Sequence, residues 1–177
     1  NTLADIPGII CDGAIRSGKT TCMSISFVAW AFYYFNDTSF ALCGKTIASL
    51  KRNNMAYIEV RNIKGKCVID YEEDEIKEFK RQLDEAGIKV SSLGSPIGKY
   101  QITDDFEPHF ERFKKAVKTA HLLDTKYIRM FSFFFTKGQS LEEYHDEVFE
   151  RLDKMCTYSL QNGIWCCHEN EKDIYGD

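Results

Sequence analysis

Tyr57-Ile-Glu-Val-Arg61 begins a pattern that recurs three more times along the chain. Each occurrence is a short run rich in β-branched and aromatic residues, followed by a polar loop. The later runs are Ile88-Lys-Val-Ser-Ser92, Tyr127-Ile-Arg-Met-Phe-Ser-Phe133 and Ile164-Trp-Cys-Cys-His-Glu169. Between the runs lie apolar residues at helical spacing, as crossover connections between parallel strands require. The pattern therefore predicts an α/β fold that contains a partial TIM-type (β/α) barrel of about four strands.

Three apolar stripes at helical spacing predict the helices between these strands. The stripes are Ile76, Phe79, Leu83 and Ala86; then Phe106, Phe110, Phe113, Val117 and Ala120; then Leu141, Tyr144, Val148, Leu152 and Met155. Gly87 follows the first stripe where a left-handed C-terminal cap is expected. Thr103, Asp104 and Asp105 precede the second stripe and predict an N-cap with an acidic first turn. Stripes of this width normally pack against a sheet, so we assign them to the core.

Four motifs follow one another in a distinctive order and spacing in this region. They are Ile88-Lys-Val-Ser-Ser-Leu-Gly-Ser-Pro-Ile-Gly-Lys99, Ile102-Thr-Asp-Asp-Phe-Glu-Pro-His109, Thr125-Lys-Tyr-Ile-Arg-Met-Phe-Ser-Phe133 and His168-Glu-Asn-Glu-Lys-Asp-Ile-Tyr-Gly-Asp177. Together they resemble sugar phosphate isomerases and epimerases with the xylose isomerase-like TIM barrel. The resemblance covers about residues 56–177. It implies a small-molecule sugar or sugar phosphate as substrate and a divalent metal, Mn²⁺ or Mg²⁺, as cofactor.

Glu169 is the residue to which this resemblance assigns a catalytic and metal-binding role. It stands at the end of the last strand run and matches the first of four metal ligands in that family. The other three would come from later strands, which this sequence lacks. A divalent ion shares about six ligands between protein and water, so one carboxylate does not hold it. We therefore also consider Glu169 as an exposed carboxylate, and we expect no sugar turnover by this chain.

Residues 8–46 carry a different motif. Gly8-Ile-Ile-Cys-Asp12 is interpreted as a strand, Gly13-Ala-Ile-Arg-Ser-Gly-Lys-Thr20 as a loop, and residues 21–35 as a helix. The loop fits G-x-x-x-x-G-K-[ST], in which backbone N–H groups surround a phosphate at a helix N-terminus. The nucleotide-binding residues would be Gly13, Arg16, Ser17, Gly18, Lys19 and Thr20. Lys19 would contact the β- and γ-phosphates and Thr20 would bind Mg²⁺; a chance match is the alternative.

The residues around this loop sharpen the interpretation. The loop, the aromatic helix after it and Phe40-Ala-Leu-Cys-Gly-Lys-Thr-Ile-Ala-Ser-Leu-Lys-Arg-Asn53 resemble the start of a phage terminase large subunit, the ATPase of a DNA-packaging motor. The resemblance covers residues 1–55 and implies ATP with Mg²⁺ as cofactor and DNA as partner. Asp70 offers the required Mg²⁺-positioning acid only superficially, because its apolar run is short and leads into an acidic helix start. We therefore expect no ATP turnover.

Composition and charge exclude several other classes. The chain has 177 residues, 44% hydrophobic and 28% charged, which is typical of a globular protein without a membrane span. Its net charge of -4 gives no general basic footprint for nucleic acid. Seven cysteines, an odd number without Cys-x-x-Cys spacing, favour a reducing, cytoplasmic setting. Cys166 and Cys167 are interpreted as small packed residues rather than nucleophiles.

The two resemblances divide the chain into two predicted domains, residues 1–55 and 56–177, which meet near Met55 without a linker. This organisation indicates a hybrid or truncated chain. Half a barrel also leaves sheet edges unpaired, so we expect self-association through them. Two functions stay open: an inactive isomerase or epimerase-like chain, and a nucleotide-binding terminase segment.

Overall fold

The computed structural model describes residues 46–52, 55–135, 138 and 141–170. The chain divides into two compact units, residues 1–55 and 56–177. In the first unit the described part is limited to residues 46–52 and 55, where helix α1 spans Ile47–Arg52. The elements that position a candidate site all belong to the second unit.

The second unit alternates strands and helices. Its elements are β1 (Tyr57–Val60), β2 (Asn62–Ile63), β3 (Lys66–Cys67), α2 (Glu73–Glu85), β4 (Lys89–Gly94), α3 (Phe106–Leu122), β5 (Tyr127–Met130), α4 (Leu141–Gln161) and β6 (Trp165–His168). β1, β4, β5 and β6 form one parallel sheet in that order. Of these four strands, each one therefore pairs with the one that comes before it in the sequence, as in the wall of a (β/α) barrel. The predicted α/β fold with four parallel strands is confirmed.

A small hairpin separates β1 from α2. β2 and β3 pair antiparallel around Lys64 and Gly65, whose φ angles are 50° and 85°. Positive φ at both central residues matches the twist of the flanking strands in a two-residue hairpin. A 3₁₀ turn, Val68–Asp70, follows the hairpin. The short apolar run before Asp70 therefore belongs to a turn, and the Asp70 carboxylate binds Arg112 at 3.1 Å.

The helices cover one face of the sheet. α3 packs against β4 and β5, α4 packs against β6, and α2 packs against α3. The largest fully buried side chains are Ile69, Ile76, Leu83, Ile88, Leu93, Ile97, Ile102, Phe113, Leu123, Ile128, Met130 and Phe133. Each large apolar side chain removed from water contributes about 1.5–3 kcal/mol before entropic costs. The three helices cover the regions of the predicted apolar stripes.

The opposite face of the sheet carries the residues that alternate with the buried ones. Tyr57, Tyr127 and Trp165 lie on this face and are 57%, 49% and 58% exposed. Two residues further along, the same face carries Glu59 on β1 and Arg129 on β5. The face therefore changes from aromatic to charged toward the carboxyl ends of the strands.

The helix caps follow the sequence closely. Gly87 has a φ of 73° after α2, and Ile88 N–H donates to the Leu83 carbonyl at 2.9 Å. This is the left-handed cap that the sequence predicts. At the start of α3 the capping side chain is Asp105, which accepts from Glu107 N–H at 3.1 Å. The predicted N-cap is therefore confirmed and assigned to Asp105.

The loop after β4 is fixed against the chain that follows β5. Phe131 N–H donates to the Ile97 carbonyl at 2.8 Å, and Ile102 N–H donates to the Phe134 carbonyl at 2.8 Å. Gly98 lies between these contacts with a φ of +86°. A Cβ atom on Gly98 would lie 2.0 Å from the Phe131 carbonyl oxygen. The two loops approach so closely that only glycine fits at this position.

We predict that Gly98→Ala destabilises the fold more than Gly87→Ala does. Both glycines have positive φ, but a Cβ on Gly87 would meet nothing within 4 Å. Gly87→Ala should therefore cost roughly 1–2 kcal/mol of backbone strain, and Gly98→Ala about 3 kcal/mol because the clash adds to the strain. Urea unfolding followed by circular dichroism measures both. Equal losses of unfolding free energy would contradict the close approach of the two loops.

Candidate functional site

Arg129 lies at the centre of a charged cluster near the carboxyl ends of three parallel strands. Its Nη1 is 2.5 Å from Glu169 Oε2, and its Nη2 is 3.8 Å from Glu59 Oε1. Glu59 comes from β1, Arg129 from β5, and Glu169 directly follows β6. The carboxyl ends of barrel strands are where TIM-barrel proteins build their sites. We call Glu59, Arg129 and Glu169 the strand-end cluster.

β4 contributes the space and a hydrogen bond for Glu59. The Ser92 hydroxyl donates to Glu59 Oε2 at 3.3 Å. A Cβ atom on Gly94 would lie 2.5 Å from Glu59 Oε1, so the carboxylate occupies the volume that a side chain at 94 would fill. Gly94 ends β4, and its role is to admit the Glu59 side chain across the sheet.

The Arg129 side chain is held from several directions. It is 19% exposed, and its guanidinium carbon lies 5.2 Å from the centre of the Phe131 ring. The Ser95 hydroxyl donates to the Arg129 carbonyl oxygen at 2.5 Å, which fixes the backbone of β5. Among the described residues, the buried Nε of Arg129 has no hydrogen-bond partner. A largely desolvated guanidinium between two carboxylates leaves the cluster with a formal charge of minus one.

Glu169 is placed by the sheet itself. Its backbone N–H donates to the Met130 carbonyl at 2.9 Å, which extends the pairing of β5 with β6 by one residue. Its carboxylate is only partly exposed and is engaged by Arg129. Its side chain is 42% exposed, so Glu169 is an exposed carboxylate that also forms an ion pair; its catalytic and metal-binding roles stay predictions.

Neither Glu59 nor Arg129 was predicted from the sequence as a site residue. Both stand in short strands, Tyr57-Ile-Glu-Val60 and Tyr127-Ile-Arg-Met130, at the position two residues after an aromatic. A charged residue at the same position of two such strands indicates that the sheet face opposite the helices is charged. Their meeting with Glu169 also depends on strand register, which the sequence does not state.

The described residues do not fit a divalent metal on their own. Mn²⁺ or Mg²⁺ needs about six oxygen or nitrogen ligands, several of them carboxylates. Glu169 already faces the fixed positive charge of Arg129. In the described part of the chain, no three His, Cys, Asp or Glu side chains are grouped so that they could hold a metal. The carboxylates of the cluster pair with the Arg129 guanidinium and are not arranged to bind a metal ion.

The predicted nucleotide-binding residues belong to the first unit. Gly13, Arg16, Ser17, Gly18, Lys19 and Thr20 lie outside the described residues. The phosphate-binding loop, and the ATP and Mg²⁺ that it implies, stay predictions.

His109 supports the loops beside the cluster. Its Nε2 accepts from Gly98 N–H at 3.0 Å, and its ring stacks on Tyr100 with ring centres 3.9 Å apart. Burial, together with the charges of Arg112 and Arg151, lowers the pKa of His109 to about 4. The neutral ring therefore carries its proton on Nδ1 and serves as an acceptor that joins the start of α3 to the loop after β4.

We predict that His109 makes the protein lose stability in acid. The pKa of His109 is about 4 in the folded chain and near its ordinary 6.5 in the unfolded chain. The unfolded state therefore binds more protons between these values, so stability falls as the pH drops from 6.5 to 4 and levels off below. Urea midpoints across this range should fall less in His109→Gln, whose side-chain oxygen can still accept from Gly98. His121→Gln, at an exposed histidine, is the matched control and should behave like the unsubstituted protein.

Three solved structures are similar to this chain in fold. A probable 3-DHS dehydratase, AsbF, from Bacillus anthracis is 14% identical with a TM-score of 0.60, over 77% of this chain and 49% of that one. A xylose isomerase-like TIM-barrel protein from Mycobacterium smegmatis, in complex with magnesium, is 16% identical with a TM-score of 0.55, over 74% and 46%. D-psicose 3-epimerase, solved with D-fructose, is 16% identical with a TM-score of 0.56, over 72% and 48%. This chain spans about half the length of these structures, and at such identities they show the fold alone.

No curated protein matches this chain. In the part of the chain that the structure describes, no helix is both long and apolar enough to cross a membrane. The xylose isomerase-like TIM-barrel family matches residues 47–175, a span that includes residues 47–55 of the first unit and nearly all of the second unit. The chain therefore belongs to the xylose isomerase-like TIM-barrel family.

Proposed function

We propose that residues 56–177 form part of a sugar isomerase or epimerase-type barrel whose strand-end cluster contacts a small sugar or sugar phosphate. We further propose that the 177-residue chain by itself turns over no sugar. The observation that supports the first statement is the meeting of Glu59, Arg129 and Glu169 at the carboxyl ends of parallel strands. It gains support from the family and from the neighbour that was solved with D-fructose.

The cluster has the chemistry of a sugar-binding surface. Carboxylate oxygens accept hydrogen bonds from sugar hydroxyls, and a guanidinium donates to hydroxyl, carbonyl or phosphate oxygens. The exposed rings of Tyr57, Tyr127 and Trp165 lie on the same face but at the amino ends of the strands, so the proposed contact with the sugar is made by the cluster. The combination favours a small polyhydroxylated molecule over an apolar ligand.

Isomerisation and epimerisation require a proton to leave one atom of the sugar and return to another. A positioned carboxylate serves as the base in such steps, and Glu169 has the required position at the end of β6. A second group must stabilise the negative charge that develops on the sugar oxygen. A divalent metal would supply that stabilisation, but the described residues do not fit one. Arg129, the cation of the cluster, is already engaged by two carboxylates, which is why we expect no turnover.

We predict sugar binding without turnover by the purified chain. D-fructose should show weak binding in saturation-transfer NMR, and Glu169→Gln should weaken it several-fold because the acceptor charge is lost. Glu150→Gln, at an exposed position on α4, is the matched control and should leave binding unchanged. Chromatography of the sugar after incubation, with and without added Mn²⁺ or Mg²⁺, should show D-fructose only.

Two results would contradict this proposal. Epimer formation that disappears in Glu169→Gln would show that the chain is a complete catalyst. Equal NMR signals from the unsubstituted chain, Glu169→Gln and Glu150→Gln would show that the strand-end cluster does not contact the sugar.

The phosphate-binding motif at residues 13–20 favours a second candidate function, that of a nucleotide-binding terminase segment. Strand, loop and helix patterns follow one another there in the order that phosphate loops need. On this hypothesis residues 1–55 are a domain of their own that binds ATP with Mg²⁺, with DNA as the wider partner.

We predict that a fluorescent ATP analogue binds the chain weakly and is not hydrolysed. Lys19→Ala should abolish the fluorescence change because the lysine supplies the charge for the β- and γ-phosphates. Lys89→Ala, at an exposed lysine of the second unit, is the control and should bind as before. Loss of binding in both variants or in neither would contradict a phosphate loop, and hydrolysis that needs Lys19 would contradict the absence of turnover.

A further inference from the structure

The large apolar side chains that stay exposed lie on two adjoining surfaces of the second unit. Among the described residues they are Tyr57, Tyr127, Phe149, Leu160 and Trp165. The three aromatic residues of the strands lie on the sheet face that the helices leave open. Cys167 of β6 is also exposed on this face, so its interpretation as a packed residue is wrong. Exposed apolar side chains that are grouped in this way indicate an interaction surface.

Phe149 and Leu160 lie on the flank of α4 that faces away from α3. The flank toward α3 is marked by Tyr158, whose ring centre is 5.6 Å from that of Phe110. Phe149 precedes Tyr158 by about two and a half helical turns and therefore points to the opposite side. Leu160 follows Phe149 by about three turns and shares its flank. In a (β/α) barrel, this flank of a helix faces the next helix of the outer ring.

β6 has an edge that points away from the rest of the sheet. Within the described residues, β1 and β6 are the two edge strands. On β6, Trp165 N–H donates to the Lys126 carbonyl and Glu169 N–H donates to the Met130 carbonyl. Backbone N–H groups alternate in direction along a strand, so the N–H group of His168 points away from β5. An edge of this kind is a template for pairing with a further strand.

β1 presents the complementary edge. The Ala56 carbonyl accepts from Lys89 N–H at 2.8 Å, which directs this carbonyl toward β4. The N–H group of Tyr57 belongs to the same trans peptide and therefore points the other way. Tyr57 is the first residue of β1, as Trp165 is the first residue of β6. Parallel pairing of a β6 edge with a β1 edge would thus bring two exposed aromatic rings to the same end of the strands.

A second copy of this chain fits both edges. A TIM barrel closes with eight parallel strands, and the described sheet supplies four of them. The chain spans 49%, 46% and 48% of the three solved structures that share its fold. Rotation about a twofold axis along the barrel would pair β6 of each copy with β1 of the other. Two such contacts close a ring, so association would stop at two copies.

We propose that two copies of this chain close one eight-stranded barrel through their β1 and β6 edges. All strands then run in the same direction, so the strand-end clusters of both copies lie at the same end of the barrel. Glu59 of one copy is brought to the seam that Glu169 of the other copy borders. The site proposed for the sugar is thus built from both copies. The inference goes beyond that proposed function, because the association is measured without any sugar.

The first experiment measures the mass of the purified full chain by light scattering during gel filtration, over a wide range of concentrations. The expected species at high concentration has twice the 20.5 kDa of one chain. Each copy carries a net charge of -4, which opposes association. The buffer therefore contains about 0.15 M salt, at which charges are screened over about 8 Å. A monomer at every concentration would overturn the proposal, and so would an open series of larger assemblies.

Amide hydrogen exchange followed by NMR identifies the surface that the two copies use. In the closed barrel the N–H groups of Tyr57 and His168 become donors between the copies. Their exchange in the dimer should be at least tenfold slower than in the diluted monomer. A dimer in which both amides exchange as fast as in the monomer would overturn edge pairing, because two sheets packed face to face leave these edges open to water.

A matched pair of variants on α4 tests the seam independently. Phe149→Glu and Thr157→Glu each add one negative charge at an exposed position of the same helix. Phe149→Glu lies on the flank beside the seam and should raise the dissociation constant of the dimer at least tenfold, whereas Thr157→Glu should leave it unchanged. Equal effects of the two variants would contradict the proposed seam. Circular dichroism verifies that both variants fold, and the mass and exchange of the unsubstituted chain decide the matter without them.

Discussion

The parallel pairing of β1, β4, β5 and β6 is the constraint on which every other feature depends. It brings the carboxyl ends of all four strands to one edge and so collects side chains that are far apart in the sequence. Arg129 and Glu169 are 40 residues apart and yet form an ion pair, because their strands are neighbours in register. The same pairing forces each connection through a crossover on one face, which is where the helices bury their apolar stripes.

The two faces of the sheet serve different purposes as a result. Ile128 and Met130 of β5 are buried beneath the helices, whereas Tyr127 and Arg129 of the same strand lie on the open face. A parallel strand that is buried on both sides would be apolar throughout. The alternation seen here places the apolar residues in the core and leaves aromatic and charged residues on the open face.

Much of the fold could be predicted from the sequence, because strand and helix patterns differ in period and the strands follow each other in simple order. The site could not be predicted to the same extent. The register of β1 on β4 shifts between Ile58 and Glu59, so that Glu59 faces Ser92. No residue pattern predicts such an irregularity. The partners of Glu59 can be assigned only when this register shift is known. The hairpin of β2 and β3 was missed because strands of two residues carry no period.

The space beside Gly94 has a consequence for how this face of the sheet can change. The carboxylate of Glu59 fills the volume in which a β-carbon at position 94 would stand. Side chains at positions 59 and 94 therefore compete for the same volume, although they belong to different strands. A bulkier residue at 94 can be accommodated only together with a smaller or differently directed residue at 59. In related barrels, a larger side chain at one of these positions should therefore be accompanied by a smaller side chain at the other.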